Sequence, residues 1–177
     1  TTQVFRDPSA WMHIVLRADI SNSTENDRID IFINGVKVDD YLTQTQPATT
    51  VDTGINGAQI HNICREAARS TYYCDLYLSD VHFVDGSALD ASSFGMTTRG
   101  QWVPMDCSGN LTYGTNGFYL SFDNTSDLGA DTSGNSNDFA LKNFKDGFDG
   151  INDGTIWSNY IIKSGGTVID KPLAFDG

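Results

Sequence analysis

The chain has 177 residues, 39% hydrophobic and 11% aromatic, enough apolar material for a real core and too much for wholesale disorder. Twenty-three acidic against 11 basic residues leave a formal charge of −12 with no offsetting Lys/Arg cluster, which repels phosphate backbones and sets nucleic-acid binding aside. No apolar run approaches the ~20 residues that span a bilayer, and no signal peptide is visible.

The acids are lopsided. Glu25 and Glu66 are the only glutamates, and every other acid is an aspartate. Asp favours turns and caps whereas Glu favours helices, so the imbalance points to a loop-rich β protein.

In chain order, "WMHIVLRAD" alternates with period two. Met12, Ile14, Leu16 and Ala18 fall on one apolar face; Trp11, His13, Val15 and Arg17 fall on a mixed one. "SNSTEND" breaks the pattern, and "RIDIFINGVKVDD" resumes it. Asn34-Gly35 between two alternating runs predicts a hairpin, because both residues tolerate positive φ. Tyr41 to Gly57 reads as a polar loop, "AQIHNIC" as a short strand and "REAARS" as a loop. The longest β run is "TYYCDLYLSDVHFVDG". Its apolar phase slips between Leu76/Leu78 and Val81/Phe83, which predicts a bulge near Ser79-Asp80. "SALDASSFG" reads as a turn or single helical turn with Leu89 and Phe94 tucked back, and 95–110 as irregular. "GFYLSFD" is a strand with Phe118, Leu120 and Phe122 on one face; beyond it come the polar loop Leu128 to Ala140, the Gly/Asp-rich "NFKDGFDGINDG", and a last segment with one strand and a linker. No amphipathic helix of a dozen residues is present. Short strands separated by turn signals argue for an all-β, antiparallel sandwich.

Cys64, Cys74 and Cys107 are odd in number and lack Cys-x-x-Cys spacing, which disfavours zinc. Cys64 and Cys74 either face each other across a hairpin or are two buried thiols, the second being preferred. The start at Thr1 without methionine and the stop at "KPLAFDG" both read as cuts from something longer.

Three stretches, "RDPSAWMHIVLRAD", "DRIDIFINGVKV" and "LYLSDVHFVDGSALDASSFG", together resemble the second half of a laminin-G-like, concanavalin-type jelly-roll domain. The continuation "YGTNGFYLSFDN" to "LGADTSGNSNDF" resembles that of bacteriophage virion proteins, fibre and appendage proteins above all. The resemblance spans roughly residues 4 to 145. It implies a jelly roll at 1–145 lacking its N-terminal strands, then a linker and the start of a following domain at 146–177. It further implies a non-enzymatic structural protein located in the virion, with other virion proteins as partners, a homo-oligomeric state, and host-surface glycan adhesion as a second role. Two alternatives stay open: a secreted carbohydrate-binding module of a bacterial enzyme, and a glycan depolymerase whose catalytic residues lie outside this slice. The fold hosts all three, so it does not choose between them.

Each candidate chemistry has a bland counterpart. A glucanase needs paired carboxylates on one strand, but Glu25 falls in a turn and Glu66 in a loop, and Asp27 and Asp30 of "DRID" would lie on opposite faces of a strand. His13, His61 and His82 sit on three separate predicted strands without a Gly-x-Ser-x-Gly elbow, so neither a nucleophile–base pair nor a His metal site is indicated. The loop "DTSGNSND" is the serious case. Counted from Asp131, an EF-hand would want Gly at Ser136 and Glu at Lys142, which excludes that loop type. A different calcium site built from Asp131, Asn135 and Asn137, with Asp123 or Asp127 nearby, competes with the preferred reading, a hydrogen-bonded Asx turn. Calcium is thus the one candidate cofactor. Tyr72, Tyr73, Tyr113, Tyr119 and Trp102 are candidate sugar-stacking residues, though strand aromatics more often pack. The sequons at Asn22, Asn110 and Asn124 carry meaning only in a eukaryotic secreted protein.

Overall fold

A computed structural model describes residues 7, 10–56, 61–64, 76–107, 109–140 and, for the backbone, 160–161. The protein is all-β: nine short strands, mostly antiparallel, with two 3₁₀ turns and no α-helix among the described residues. The chain divides into two units, one formed by Thr1–Ile55 with Gly86–Thr112 and the other by Asn56–Asp85 with Tyr113–Gly177. The expected boundary at 145/146 lies outside the described residues.

The first unit holds β1 (Ile14–Ala18), β2 (Ile29–Ile33) and β3 (Val36–Lys37) in one antiparallel sheet. Its register pairs Ile14 with Ile33, Leu16 with Ile31, and Arg17 with Asp30. The turn at Asn34 (φ 48°) and Gly35 (φ 80°) is the two-residue hairpin expected from the sequence. Gly35 has a second duty: the Trp102 ring lies against it where any Cβ would stand. Alternation separates the faces cleanly. Val15 and Asp30 are buried on one side, whereas Ile14 and Leu16 on the other are 59% and 56% exposed. Gln46 from the following loop closes the β2 edge beyond β3: its Oε1 accepts from Ile29 N at 3.1 Å and its Nε2 donates to Ile29 O at 2.9 Å. The polar loop expected over 41–57 is irregular throughout its described part.

Residues 95–110 depart from the expectation of irregular chain. β6 (Gly95–Thr98) and β7 (Gln101–Pro104) form an antiparallel hairpin closed by Arg99 (φ 53°) and Gly100 (φ 80°). The left-handed position that Asn usually fills is held by Arg99, so the turn signal was missing although Thr97, Trp102 and Val103 favour strand. The turn at Ala91–Ser93 precedes β6 as expected, with Ala91 buried and Leu89 and Phe94 half-buried. Cys107 is buried, its thiol donating to Ser93 O and Met105 O at 3.3 Å each.

The second unit contains β4 (Tyr77–Leu78), β5 (Val81–Phe83), β8 (Phe118–Leu120) and β9 (Tyr160–Ile161); β5 pairs antiparallel with β8, and β4 parallel with β9. Phe118, Leu120 and Phe122 form its core, with Ile63, Leu78, Val81, Phe83, Leu128 and Phe139 packed against it. The phase slip is absorbed at Ser79-Asp80, but by a break rather than a bulge. Asp80 takes φ 49°, and the chain leaves one sheet and joins another there. Leu78 and Val81 consequently reach the same core despite their opposite phase. The strand expected over "AQIHNIC" is absent from its described part, His61–Cys64, where Cys64 takes φ 61°. Cys74 lies outside the described residues, and with it the question of its pairing.

Candidate functional site

The polar loop 128–140 and the β5–β8 pair build one continuous polar arrangement. Asp131 is its hub. Oδ1 accepts the amides of Tyr119 and Ser133 at 2.8 Å each, and Oδ2 accepts the Asn137 amide and the Ser133 hydroxyl at 2.9 Å each. Burial pushes the Asp131 carboxyl up, but these donors outweigh it and hold the group below its ordinary range. Asp138 in turn accepts the Asp131 amide at 2.8 Å.

The two asparagines work in the opposite sense. Asn135 Nδ2 donates to Gly114 O (2.6 Å) and Gly117 O (2.8 Å), and Asn137 Nδ2 to Thr115 O (3.1 Å) and Gly117 O (2.9 Å). The structure therefore brings Asp131, Asn135 and Asn137 together, as the calcium reading required. It employs them as a clasp between two loops. A cation here would have to displace backbone amides from the Asp131 oxygens. Asp127 accepts Gly129 N at 3.1 Å, an Asx turn of its own, and Asp123 is exposed. Among the described residues no group of three or more His, Cys, Asp or Glu is placed to hold a metal ion.

The clasp fixes Tyr119, whose amide bonds Asp131 and whose carbonyl accepts both Thr132 N (2.8 Å) and Thr132 Oγ1 (3.0 Å). Alternation then turns the Tyr119 ring away from the Phe118/Leu120 core. It stacks on its cross-strand partner His82 at 4.1 Å between centroids, and its hydroxyl donates to Asp80 at 2.8 Å. Tyr113 is buried beside them with its hydroxyl 2.8 Å from His82 Nδ1. The set combines aromatic surface, a carboxylate and an imidazole, the chemistry that holds a polar ring by stacking and hydrogen bonds.

The other sugar-stacking candidates divide. Trp102 is half-buried against Gly35, its Nε1 donating to His13 Nδ1 at 3.1 Å, and Tyr72 and Tyr73 lie outside the described residues. His13 is held below its ordinary pKa by burial. His13 belongs to the first unit, and His61 and His82 to the second.

The first unit contains a charge cluster that the sequence reading missed. Asp30, 1% exposed, pairs with Arg17 and with Lys37 Nζ (2.8 Å); Lys37 also reaches Asp27 at 2.6 Å, and Arg17 also pairs with Asp90. Burial pushes the Asp30 carboxyl up, and the bonds from Lys37 and Arg17 more than reverse it, leaving the group depressed. Asp27 and Asp30 were expected on opposite faces. Asp27 instead sits in the 3₁₀ turn Glu25–Asp27 before the strand, and both carboxylates converge on Lys37. The signal was present, because a two-residue Asn-Gly turn sets Lys37 opposite Phe32 and therefore diagonal to Asp30. Glu25 lies in that turn, exposed, and Glu66 is outside the described residues.

No protein-family model, no curated protein and no solved structure matches this chain. Among the described residues no helix is long and apolar enough to cross a membrane.

Proposed function

We propose that the chain is a structural, non-enzymatic β module of a bacteriophage virion, a jelly-roll type element of a tail fibre, spike or capsid appendage. The observation that carries this reading is where its polar chemistry goes. Asp131, Asn135 and Asn137 tie one loop to another, Asp30 ties Arg17 to Lys37, and Trp102 bonds His13. Side chains committed to holding loops and strands suit a stiff spacer whose loops keep their shape on an exposed particle. The sequence resemblance supports the placement in a virion, with other virion proteins as partners. Host-surface glycan adhesion is the second role, favoured by the Tyr119–His82–Asp80 arrangement.

The test is proteomic. Particles banded in a density gradient are digested with trypsin and searched for the fragment Ile29–Lys37, which cleavage after Arg28 and Lys37 releases. The reading expects that peptide to co-sediment with intact particles. Its recovery from the soluble secreted fraction alone would replace the virion protein with a secreted carbohydrate-binding module. For adhesion, retention on host envelopes that is lost in the Tyr119→Ala variant supports the second role; equal retention of both proteins removes it.

A further inference from the structure

Asparagine is followed by glycine at 34–35, 56–57 and 116–117, and the three asparagines are held differently. Asn34 and Asn56 take positive φ, 48° and 66°, and their side chains are engaged. Asn34 Oδ1 accepts His13 N at 2.9 Å, and Asn56 Nδ2 donates to Asp85. Asn116 lies outside the left-handed region and its side chain is exposed. Among the described residues nothing bonds that side chain or the Gly117 amide. The anchors sit to either side of this peptide. Asn116 N donates to Asp85 Oδ2 at 3.0 Å, and Gly117 O accepts Asn135 Nδ2 at 2.8 Å and Asn137 Nδ2 at 2.9 Å. The loop requires glycine at 117, because a Cβ there would stand 1.9 Å from Tyr113 O. The amide next to the Asn116 side chain is therefore one that no side chain shields.

We infer that Asn116–Gly117 is a self-modification site, where asparagine converts to isoaspartate without an enzyme and opens the clasp. Gly117 N gives its proton to solvent and attacks Asn116 Cγ. The new C–N bond closes a succinimide as the Cγ–Nδ2 bond breaks, and the side-chain nitrogen leaves as ammonia. Water then opens the ring. Addition at the main-chain carbonyl leaves the chain running through Cγ, which is isoaspartate; addition at Cγ gives aspartate. Isoaspartate puts an extra methylene into the main chain between two anchored groups, the amide on Asp85 and the carbonyl on Asn135 and Asn137. It also places a new carboxylate there. Both anchors cannot hold across the longer chain, so one set of bonds is lost. At Asn34 the side-chain bond must open before the ring can close, a handicap of roughly fivefold for one hydrogen bond. Ile33 and Thr115, which precede the two asparagines, are both β-branched, so local sequence does not separate the sites. The inference does not depend on the virion reading, since it rests on this loop alone.

The whole chain is aged in mildly alkaline buffer, sampled over weeks, digested briefly with trypsin and read by mass spectrometry for replacement of NH2 by OH. Cleavage places Asn34 in Ile29–Lys37 and Asn116 in Gly100–Lys142, where backbone fragmentation locates the change. In the folded protein Asn116 should convert at least roughly fivefold faster than Asn34, and the two rates should converge in urea, where only local sequence acts. Conversion at Asn34 as fast as at Asn116 in the folded protein overturns the inference, as does a ratio that persists in urea. The consequence is read on the same samples. Aged wild type should melt below fresh protein in proportion to its isoaspartate content. Asn116→Gln loses no hydrogen bond of the structure, and its longer side chain closes a ring far more slowly, so it should keep its melting temperature through the same ageing. A wild type that accumulates isoaspartate at 116 and melts unchanged refutes the opening of the clasp, and an equal decline in Asn116→Gln refutes this site as its cause.

Discussion

Asp131→Asn tests the clasp most directly, because it keeps shape and removes charge and one acceptor. In the wild type one oxygen serves the Tyr119 and Ser133 amides and the other serves the Asn137 amide and the Ser133 hydroxyl. With an asparagine oxygen on the first pair, two charge-assisted bonds become neutral, each weaker by about 0.5–1 kcal/mol. The new NH2 faces the Asn137 amide, donor against donor, and orphaning that amide costs about 1–2 kcal/mol, since the half-buried site lets water share the loss. The sum is about 2–4 kcal/mol, or roughly 5–15 °C in melting temperature for a chain of this size. Differential scanning calorimetry at pH 7 measures it. The pH dependence has a fixed sign. The folded carboxyl lies below its unfolded value, so its contribution is complete above about pH 4 and fades as pH falls through the folded pKa. The gap between wild type and variant therefore narrows in acid. EDTA separates the two readings of the loop. A hydrogen-bonded clasp gives the same gap with and without chelator. A wild-type melting temperature that drops in EDTA by as much as the substitution lowers it would establish a calcium site, and a gap under about 0.5 kcal/mol would refute the clasp.

Asp30→Asn should destabilise by about 3 kcal/mol, the lower end for breaking a buried pair, because Arg17 and Lys37 keep solvent-facing ends; urea unfolding at pH 7 reads it, and a loss below about 1 kcal/mol would show the cluster to be solvent-screened. The His13–Trp102 bond should make Trp102 fluorescence pH-dependent. Burial lowers the His13 pKa, so the neutral acceptor and its stabilisation are fully present above about pH 6.5 and are lost as pH falls through the folded value. Trp emission that stays flat from pH 8 to 5 in the wild type, or shifts equally in His13→Phe, contradicts that assignment.

What the sequence made legible follows the range of the signal. The Asn34-Gly35 hairpin was readable because two adjacent residues fix the turn and hence the register of Ile33 with Val36. The Phe118/Leu120 part of the core was readable because alternation places both side chains on one face of β8, whereas Phe122 joins them from beyond the strand end at φ 58°. The Arg99-Gly100 hairpin was not, since Arg is an uncommon occupant of a left-handed position and its stabilisation comes from Trp102 lying against Gly95 and Gly35. The loop was legible in composition but ambiguous in role. Calcium ligation and Asx turns ask for the same residues at the same spacing, and which way an amide group faces is decided by the carbonyls of Gly114, Thr115 and Gly117 from another segment.

At Asp52, Asp127 and Asp131 the preference for aspartate over glutamate has a physical cause that can itself be tested. Among the described residues, Asn22, Asp52, Asn124, Asp127 and Asp131 each accept the amide two residues on, at 2.8–3.1 Å. A side chain with its oxygen two bonds beyond Cβ reaches that amide; one more methylene carries the oxygen past it. Asp→Glu, conservative in charge, should therefore be costly where the Asx bond exists: about 1 kcal/mol at Asp127 and about 2 kcal/mol at Asp131, where four donors share the carboxylate. Asp39 is exposed and provides the comparison; Asp39→Glu should change stability by less than about 0.5 kcal/mol. Thermal melts of the three variants at one pH decide the matter, because net charge is equal in all of them. If Asp127→Glu and Asp131→Glu melt with Asp39→Glu, the aspartates are there for charge alone, and the turn geometry explains nothing about the composition.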